Sequence, residues 1–295
     1  MNVKENVEAV VANHLASGKF IDIGGVNTFY LDKGKGEIVF CIHGVPTSSF
    51  IYRKVIDKLE AKGMRGIAID LPGLGFSDRP EDFDYRFSNF ASFCKKFLDK
   101  LNLEKVHLLL HDIGTPIGLA LTARNNDNVK SITILNSMLN VAEFKKPFPM
   151  QFFEKAVIGE AELALFTYTT WKWMAKYAAI ERMDTVKEEE ILAYVDILKR
   201  ADQGKAFLKI MRNFESSSEF TRLCYSAIKT KKHPFQLIWG MKDPFLPFQK
   251  YGVEFLDAGS PFNITKLESK HFLQEEKAEN ISYKIIDMIT ELKIR

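Results

Sequence analysis

Three residues far apart in the chain, Asp112, Asp243 and His271, have the types and settings that covalent hydrolysis needs. Asp112 ends the apolar run V-H-L-L-L-H-D at 106–112, and Gly114 and Gly118 just after it admit a sharp turn into a helical stretch at 117–124. A strand this hydrophobic is an inner one, where a carboxylate at its end is costly unless it is used. The pattern is that of a nucleophile elbow, with aspartate in the place of the usual serine. Two other readings stand beside it: Asp112 as the N-cap of the next helix, or His111-Asp112 as a metal-binding pair, which would need helical placement and further ligands. Asp243, in W-G-M-K-D-P-F, follows a later strand, and His271, in E-S-K-H-F-L-Q-E-E, follows the last. Singly, each is an ordinary turn or loop residue. Together, nucleophile, acid and histidine in that chain order at three strand ends favour catalysis.

The elements that must position them alternate between strand and helix. Residues 20–31 read as a β-hairpin turned at Gly24-Gly25, with a second turn at Gly34 and Gly36. A buried-type strand at 37–42 runs into H-G-V-P-T-S-S-F at 43–50, whose Pro46 is a candidate for a cis bond, and 51–59 has helical periodicity. The strand at 65–70 leads into L-P-G-L-G-F-S-D-R-P, a glycine- and proline-rich loop that must follow a fixed path but lacks the Lys-Ser/Thr of a phosphate-binding loop. An amphipathic helix is expected at 88–101 with Ser88 as its cap, then strands at 131–135, 235–240 and 262–267, and a closing helix at 275–293.

From 140 to 232 the strand signal vanishes in favour of helices rich in aromatics and methionine. The expectation is an α/β fold with a mostly parallel central sheet, flanking helices and an inserted helical cap at 140–232, the core being split between 1–139 and 233–295. Ligands bind at the carboxyl edge of such sheets, so the insertion would roof Asp112.

Composition narrows the class. Of 295 residues, 46% are hydrophobic and 27% charged, as in ordinary globular proteins. A net charge of +3, evenly spread, gives no footprint for nucleic acid or an anionic membrane. Three widely spaced cysteines, Cys41, Cys94 and Cys224, argue against a disulfide framework and for a reducing cytoplasm. The first residues mix acids into a short apolar run and do not read as a signal peptide, and the longest apolar region, 163–180, is interrupted by Lys172 and Lys176. With no compact cluster of His, Cys and carboxylates, neither a catalytic metal nor a cofactor is expected. His14 and His233 read as residues in polar surroundings, and His107 as structural.

The motifs H-G-V-P-T-S-S, D-L-P-G-L-G-F-S-D, H-D-I-G, W-G-M-K-D-P and H-F-L-Q-E-E resemble the α/β-hydrolase superfamily, and within it the aspartate-nucleophile branch of haloalkane dehalogenases and epoxide hydrolases. The resemblance runs from about Phe20 to the carboxyl terminus. It implies Asp112 as nucleophile, His271 as base, Asp243 as the partner of His271, and the N–H groups of Val45 and Ile113 as an oxyanion hole. The substrate it implies is a small hydrophobic molecule, hydrolysed by water through an alkyl-enzyme ester.

Against that pattern, Ile113 stands where dehalogenases commonly have tryptophan, Val45 where one group has a second halide donor, and Met183 at the cap equivalent. Asn136 stands where another group has a catalytic glutamate, which supports Asp243 as the acid. For an epoxide hydrolase, Tyr168, Tyr177, Tyr194 and Tyr225 are available, while Met211 occupies one expected tyrosine position. His43, Trp171, Trp173, Tyr168, Tyr177, Met183 and Met211 are the candidate substrate-binding residues; Trp239 reads as core. Haloalkane dehalogenase-like hydrolysis ranks first and epoxide hydrolysis second. A non-catalytic small-ligand receptor on the same fold ranks third.

Overall fold

Alternate residues of the central strands enter two different cores, the signature of a sheet covered on both faces. In the strand Ile38–Ile42, Phe40 and Ile42 join one apolar cluster while Val39 and Cys41 join the other. In Val106–His111, Leu108 and Leu110 face the first cluster and Leu109 the second. The first core is closed by the helices Phe87–Lys100 and Gly114–Arg124, the second by Arg53–Glu60 and Ala278–Ile294.

The computed structural model describes residues 2–125 and 127–294. Its strands are β1 (Lys19–Ile23), β2 (Val26–Gly34), β3 (Ile38–Ile42), β4 (Arg65–Ile69), β5 (Val106–His111), β6 (Val129–Leu135), β7 (Phe235–Gly240) and β8 (Asn263–Leu267). They form one sheet in the order β1-β2-β4-β3-β5-β6-β7-β8. β2 is antiparallel to β1 and β4, and every later pairing is parallel. This is the α/β-hydrolase fold, and its inner strands β3, β5, β6 and β7 all end on one edge, where a ligand meets them.

Several expected boundaries move. The helix after β5 starts at Gly114, three residues before its periodicity suggests. Ser88 is not a cap: the helix is Phe87–Lys100, and Glu215, 127 residues later in the chain, accepts the Ser88 N–H at 2.8 Å. The closing helix divides into Leu273–Glu276 and Ala278–Ile294. At the amino terminus, a helix Val3–Ser17 begins with a reciprocal capping box between Asn2 and Glu5 and packs against Glu188–Lys199. His14 on this helix is buried among Phe29, Phe50 and Phe76, not in polar surroundings, and burial lowers its pKa to about 3. His233 is also buried.

Between β6 and β7 the described elements are helices joined by loops, including Ile158–Ala164, Tyr168–Met174, Glu188–Lys199, Lys205–Arg212 and Ser218–Lys229. The glycine-rich loop after β4 is clamped from this segment. Arg79 donates to the carbonyls of Ile197 and Leu198 and to Asp202, and Arg200 to the carbonyls of Gly75 and Phe76. The His271 loop is tied to it as well, through His271 N–H to Ala178 O (3.1 Å) and Phe272 N–H to Ala179 O (2.8 Å). Among the described residues no helix is long and apolar enough to cross a membrane. All three cysteines are buried free thiols.

Candidate active site

β5 is buried throughout, and the chain leaves it through Asp112 at φ +52°, a left-handed conformation that a residue with a side chain adopts only under constraint. The constraint is visible. Asp112 N–H donates to Asn136 O (3.2 Å), and Asp112 O accepts from Thr115 N–H (3.0 Å) and Ser137 Oγ (2.6 Å). Gly114 is required by the same turn, because a Cβ there would stand 2.2 Å from Ile42 O. Ile113 occupies the N-cap position and no side chain caps this helix, so Asp112 is not its cap.

The carboxylate of Asp112 is aimed at the loop after β3. Its Oδ1 accepts the Val45 N–H at 3.0 Å, and the neighbouring Ile113 N–H adds to the influences that favour the charged form. Gly44 makes room for it: a Cβ there would lie 2.2 Å from Oδ1. The loop is held by a cis bond between Val45 and Pro46 and by His43. His43 Nδ1 lies 2.8 Å from Gly44 O and its Nε2 accepts Leu71 N–H at 3.1 Å. With burial pushing its pKa down to about 4, His43 is a neutral crosslink between two loops.

On the other side of Asp112, Oδ2 lies 3.8 Å from His271 Nε2, beyond direct hydrogen bonding. His271 Nδ1 is 2.7 Å from Asp243 Oδ2. Asp243 is itself fixed, Oδ1 accepting from Phe245 N–H (2.8 Å) and Leu246 N–H (3.0 Å) and Oδ2 from Asn136 Nδ2 (2.7 Å). The three pKa values follow from these contacts. Burial raises Asp112, opposed by His271 and by the N–H groups of Ile113 and Val45. Burial also works to raise Asp243, but the charge of His271 and the donors around it win, and its pKa falls. For His271 burial works downward, but the Asp243 carboxylate, then that of Asp112, outweigh it and the pKa rises. The arrangement is a carboxylate with one oxygen on a backbone N–H and the other facing an imidazole that a second carboxylate orients.

Asp112 and His271 open onto a cavity of about 350 Å³ whose walls are almost wholly apolar. Trp171, Trp173 and Met211 line it, as the sequence suggests, with Phe166, Phe207 and Phe272. The remaining candidates do not. Tyr168 is turned away and donates to Asp196 (2.7 Å), because its helix face meets Glu188–Lys199. Tyr177 stacks on Trp173 outside the lining, and Met183 packs against the second core. His43 lies behind the loop it braces. Tyr194 spends its hydroxyl on Glu275 (2.5 Å), and Tyr225 is likewise away from the cavity. Trp171 donates its indole N–H to Ile191 O (2.7 Å), and Trp239, buried in the core, to Leu246 O (2.9 Å). Trp173, 65% exposed, stands at the rim.

Three supporting roles are not legible in the sequence, including that of His111, which reads there only as half of a metal-binding pair. His111 supports His271 from below, its Nε2 2.9 Å from His271 O and the rings 4.6 Å apart. Asp70, raised to about 6 by burial, accepts Ser49 N–H and Phe76 N–H and so shapes both neighbouring loops. Glu162 lines the cavity from the helical segment.

A family model described as alpha/beta hydrolase fold matches residues 37–278. A haloalkane dehalogenase of Mycobacterium marinum is 25% identical, over 90% of this chain and 92% of its own. A cis-3-alkyl-4-alkyloxetan-2-one decarboxylase of Shewanella oneidensis is 26% identical, over 93% of each. Among solved structures, the epoxide hydrolase CorEH superposes with a TM-score of 0.77 at 21% identity, covering 93% of this chain and 99% of its own. With the family model spanning most of the sequence, the chain belongs to the α/β-hydrolase superfamily.

Proposed function

We propose that the chain is an aspartate-nucleophile hydrolase of small hydrophobic substrates, working as haloalkane dehalogenases do, with Asp112, His271 and Asp243 as its triad and residues 140–232 as its cap over a core of 1–139 and 233–295. The observation that carries this reading is the Asp112 carboxylate, held at a strained turn with Oδ1 on Val45 N–H and Oδ2 free to face His271 across 3.8 Å. Such strain together with such a donor set favours a reacting carboxylate over a passive ligand receptor.

In the first step Oδ2 attacks a saturated carbon, the carbon–halogen bond breaks, and the halide leaves with the bonding pair. The product is an alkyl ester of Asp112. Water then gives a proton to His271 Nε2 and its oxygen adds to the ester carbonyl, whose Oδ1 takes the charge and is held by Val45 and Ile113 N–H. Collapse releases the alcohol and restores the carboxylate; the proton on His271 leaves with the halide. Asp243 stabilises the imidazolium between these events. Substrate and water are the only partners the sequence of steps requires, and no cofactor enters. The buried free thiols agree with a reducing, cytoplasmic setting.

Between the two leading chemistries, the cavity favours halide over epoxide. An epoxide oxygen stays attached and needs a phenol to polarise it, yet among the described residues no tyrosine lines the cavity and the Tyr168 and Tyr194 hydroxyls are spent elsewhere. Halide stabilisation is sparse too, since the Trp171 and Trp239 indoles are bonded to backbone carbonyls. Good leaving groups are therefore required, and iodide and bromide should far outpace chloride. The test is a panel of iodo-, bromo- and chloroalkanes assayed for halide, beside terminal epoxides assayed for diol and an alkyl oxetan-2-one assayed for ring opening. Halide release with that order is expected; diol or ring-opened product without halide would replace this reading.

A further inference from the structure

Two places in the cavity wall carry carboxylates. One is the Asp112–His271 floor. The other is Glu162, on the helix Ile158–Ala164 of the roof. A glutamate on a surface helix is ordinarily solvated or paired, and Glu160 on the same helix is, meeting Arg212 at 2.9 Å. Glu162, two residues on, projects from the opposite side and into the cavity wall. Its Oε2 is buried and has no hydrogen-bond partner among the described residues. Lys146, the cation that shares the lining, is committed to Glu154 and lies over the Phe214 ring at 3.9 Å. Burial, with no charge to oppose it, pushes the Glu162 carboxyl up to about 7. A half-buried carboxylate in the wall of an apolar cavity, with one oxygen buried and unpaired, is costly for the fold alone and useful to a ligand that brings a donor.

We propose that Glu162 is a specificity residue that receives a hydroxyl group at the end of the substrate remote from the reacting carbon. The substrate class is then an amphiphile: an electrophilic carbon at Asp112, an apolar stretch against Phe166, Trp171, Phe207 and Met211, and a terminal alcohol at Glu162. A hydroxyl suits this place better than an ammonium, which would have to shed its water in an apolar cavity. It also pairs with Glu162 in either protonation state, donating to the carboxylate or exchanging hydrogen bonds with the acid. This inference takes from the proposed function only the location of the reacting end.

The experiment reads binding and needs no turnover. 1-Hexanol and its isomer 1-methoxypentane, which accepts but cannot donate a hydrogen bond, are titrated against the tryptophan fluorescence of wild type, Glu162→Gln and Glu162→Leu. Wild type should bind hexanol about 10-fold more tightly than the ether, one good hydrogen bond's worth. Glu162→Gln should keep most of that preference and Glu162→Leu should lose it. An equal preference in Glu162→Leu would place the hydroxyl at Asp112 instead and overturn the proposal, as would no preference, or no saturable binding, in wild type. Failure of the Asp112 chemistry, by contrast, would show as absent alkylation with this preference intact.

Discussion

Asn136 Nδ2 donates at 2.7 Å to Asp243 Oδ2, the same oxygen that meets His271 Nδ1 at 2.7 Å. Asn136 also grips the β7 end through Gly240, accepting its N–H at 2.7 Å and donating to its carbonyl at 3.1 Å. The end of β6 thereby sets the position and the basicity of the carboxylate at the end of β7.

Asn136→Ala should lower kcat about 10-fold with KM little changed, one charge-assisted hydrogen bond being worth roughly 1.5–3 kcal/mol. Losing that donor also makes Asp243 a stronger partner for His271, so the acidic limb of the pH profile should move upward. A purely structural role for Asn136 would lower stability and leave the limb where it was.

The pH dependence of ester hydrolysis follows His271, which must be neutral to accept a proton. Its pKa is raised, so activity should be lost as pH falls through a value above the ordinary 6.5. In Asp243→Asn the main upward influence is gone and burial is left in control, so the limb should move to lower pH. The plateau should fall by up to about 10⁴. A stopped-flow pH series on both proteins measures limb and plateau together.

Much of this site was legible because it rests on local rules. An apolar run ending in a charged residue placed β5, the strand pattern resuming at 235–240 placed β7, and Gly114 with Gly118 marked the turn after Asp112. The helix nevertheless starts at Gly114, whose backbone lies against Ile42 O of β3, a contact remote in sequence that periodicity does not carry. Ser88 misled for a similar reason: the acceptor at that helix start is Glu215, remote in sequence. Asn136 was legible as a missing glutamate but not as a brace, because bracing needs the β6–β7 pairing. Tyr168 and Glu162 show the limit most plainly: in helices that lie over a sheet, the face that meets the cavity is decided by packing, and a tyrosine turned out while a glutamate turned in.

Gly44→Ala should abolish most activity. The added Cβ would stand 2.2 Å from Asp112 Oδ1 and push the carboxylate off the Val45 N–H. Loss of one such donor typically costs about 10²–10³ in kcat. Circular dichroism on the same sample should show the fold retained.

Trp171→Phe should cost roughly 1 kcal/mol of stability through the lost bond to Ile191 O. It should leave the ratio of bromoalkane to chloroalkane turnover unchanged, since that indole N–H is not offered to the cavity. A collapse of the ratio would identify Trp171 as a halide donor after all.

Arg53 pairs with Glu275, which is fully buried, and with Glu190 of the helix Glu188–Lys199. Arg53→Met should lower stability by about 3–5 kcal/mol, because it strips a buried carboxylate of its main partner. Chemical denaturation of the variant beside wild type reads this directly.

The most direct test of covalent catalysis at Asp112 uses His271→Gln, which should still be alkylated but unable to hydrolyse the ester. After incubation with a bromoalkane that wild type turns over, peptide mass spectrometry should find the alkyl group's added mass on the peptide containing Asp112, close to stoichiometric. An unmodified Asp112 peptide under those conditions would contradict the two-step mechanism.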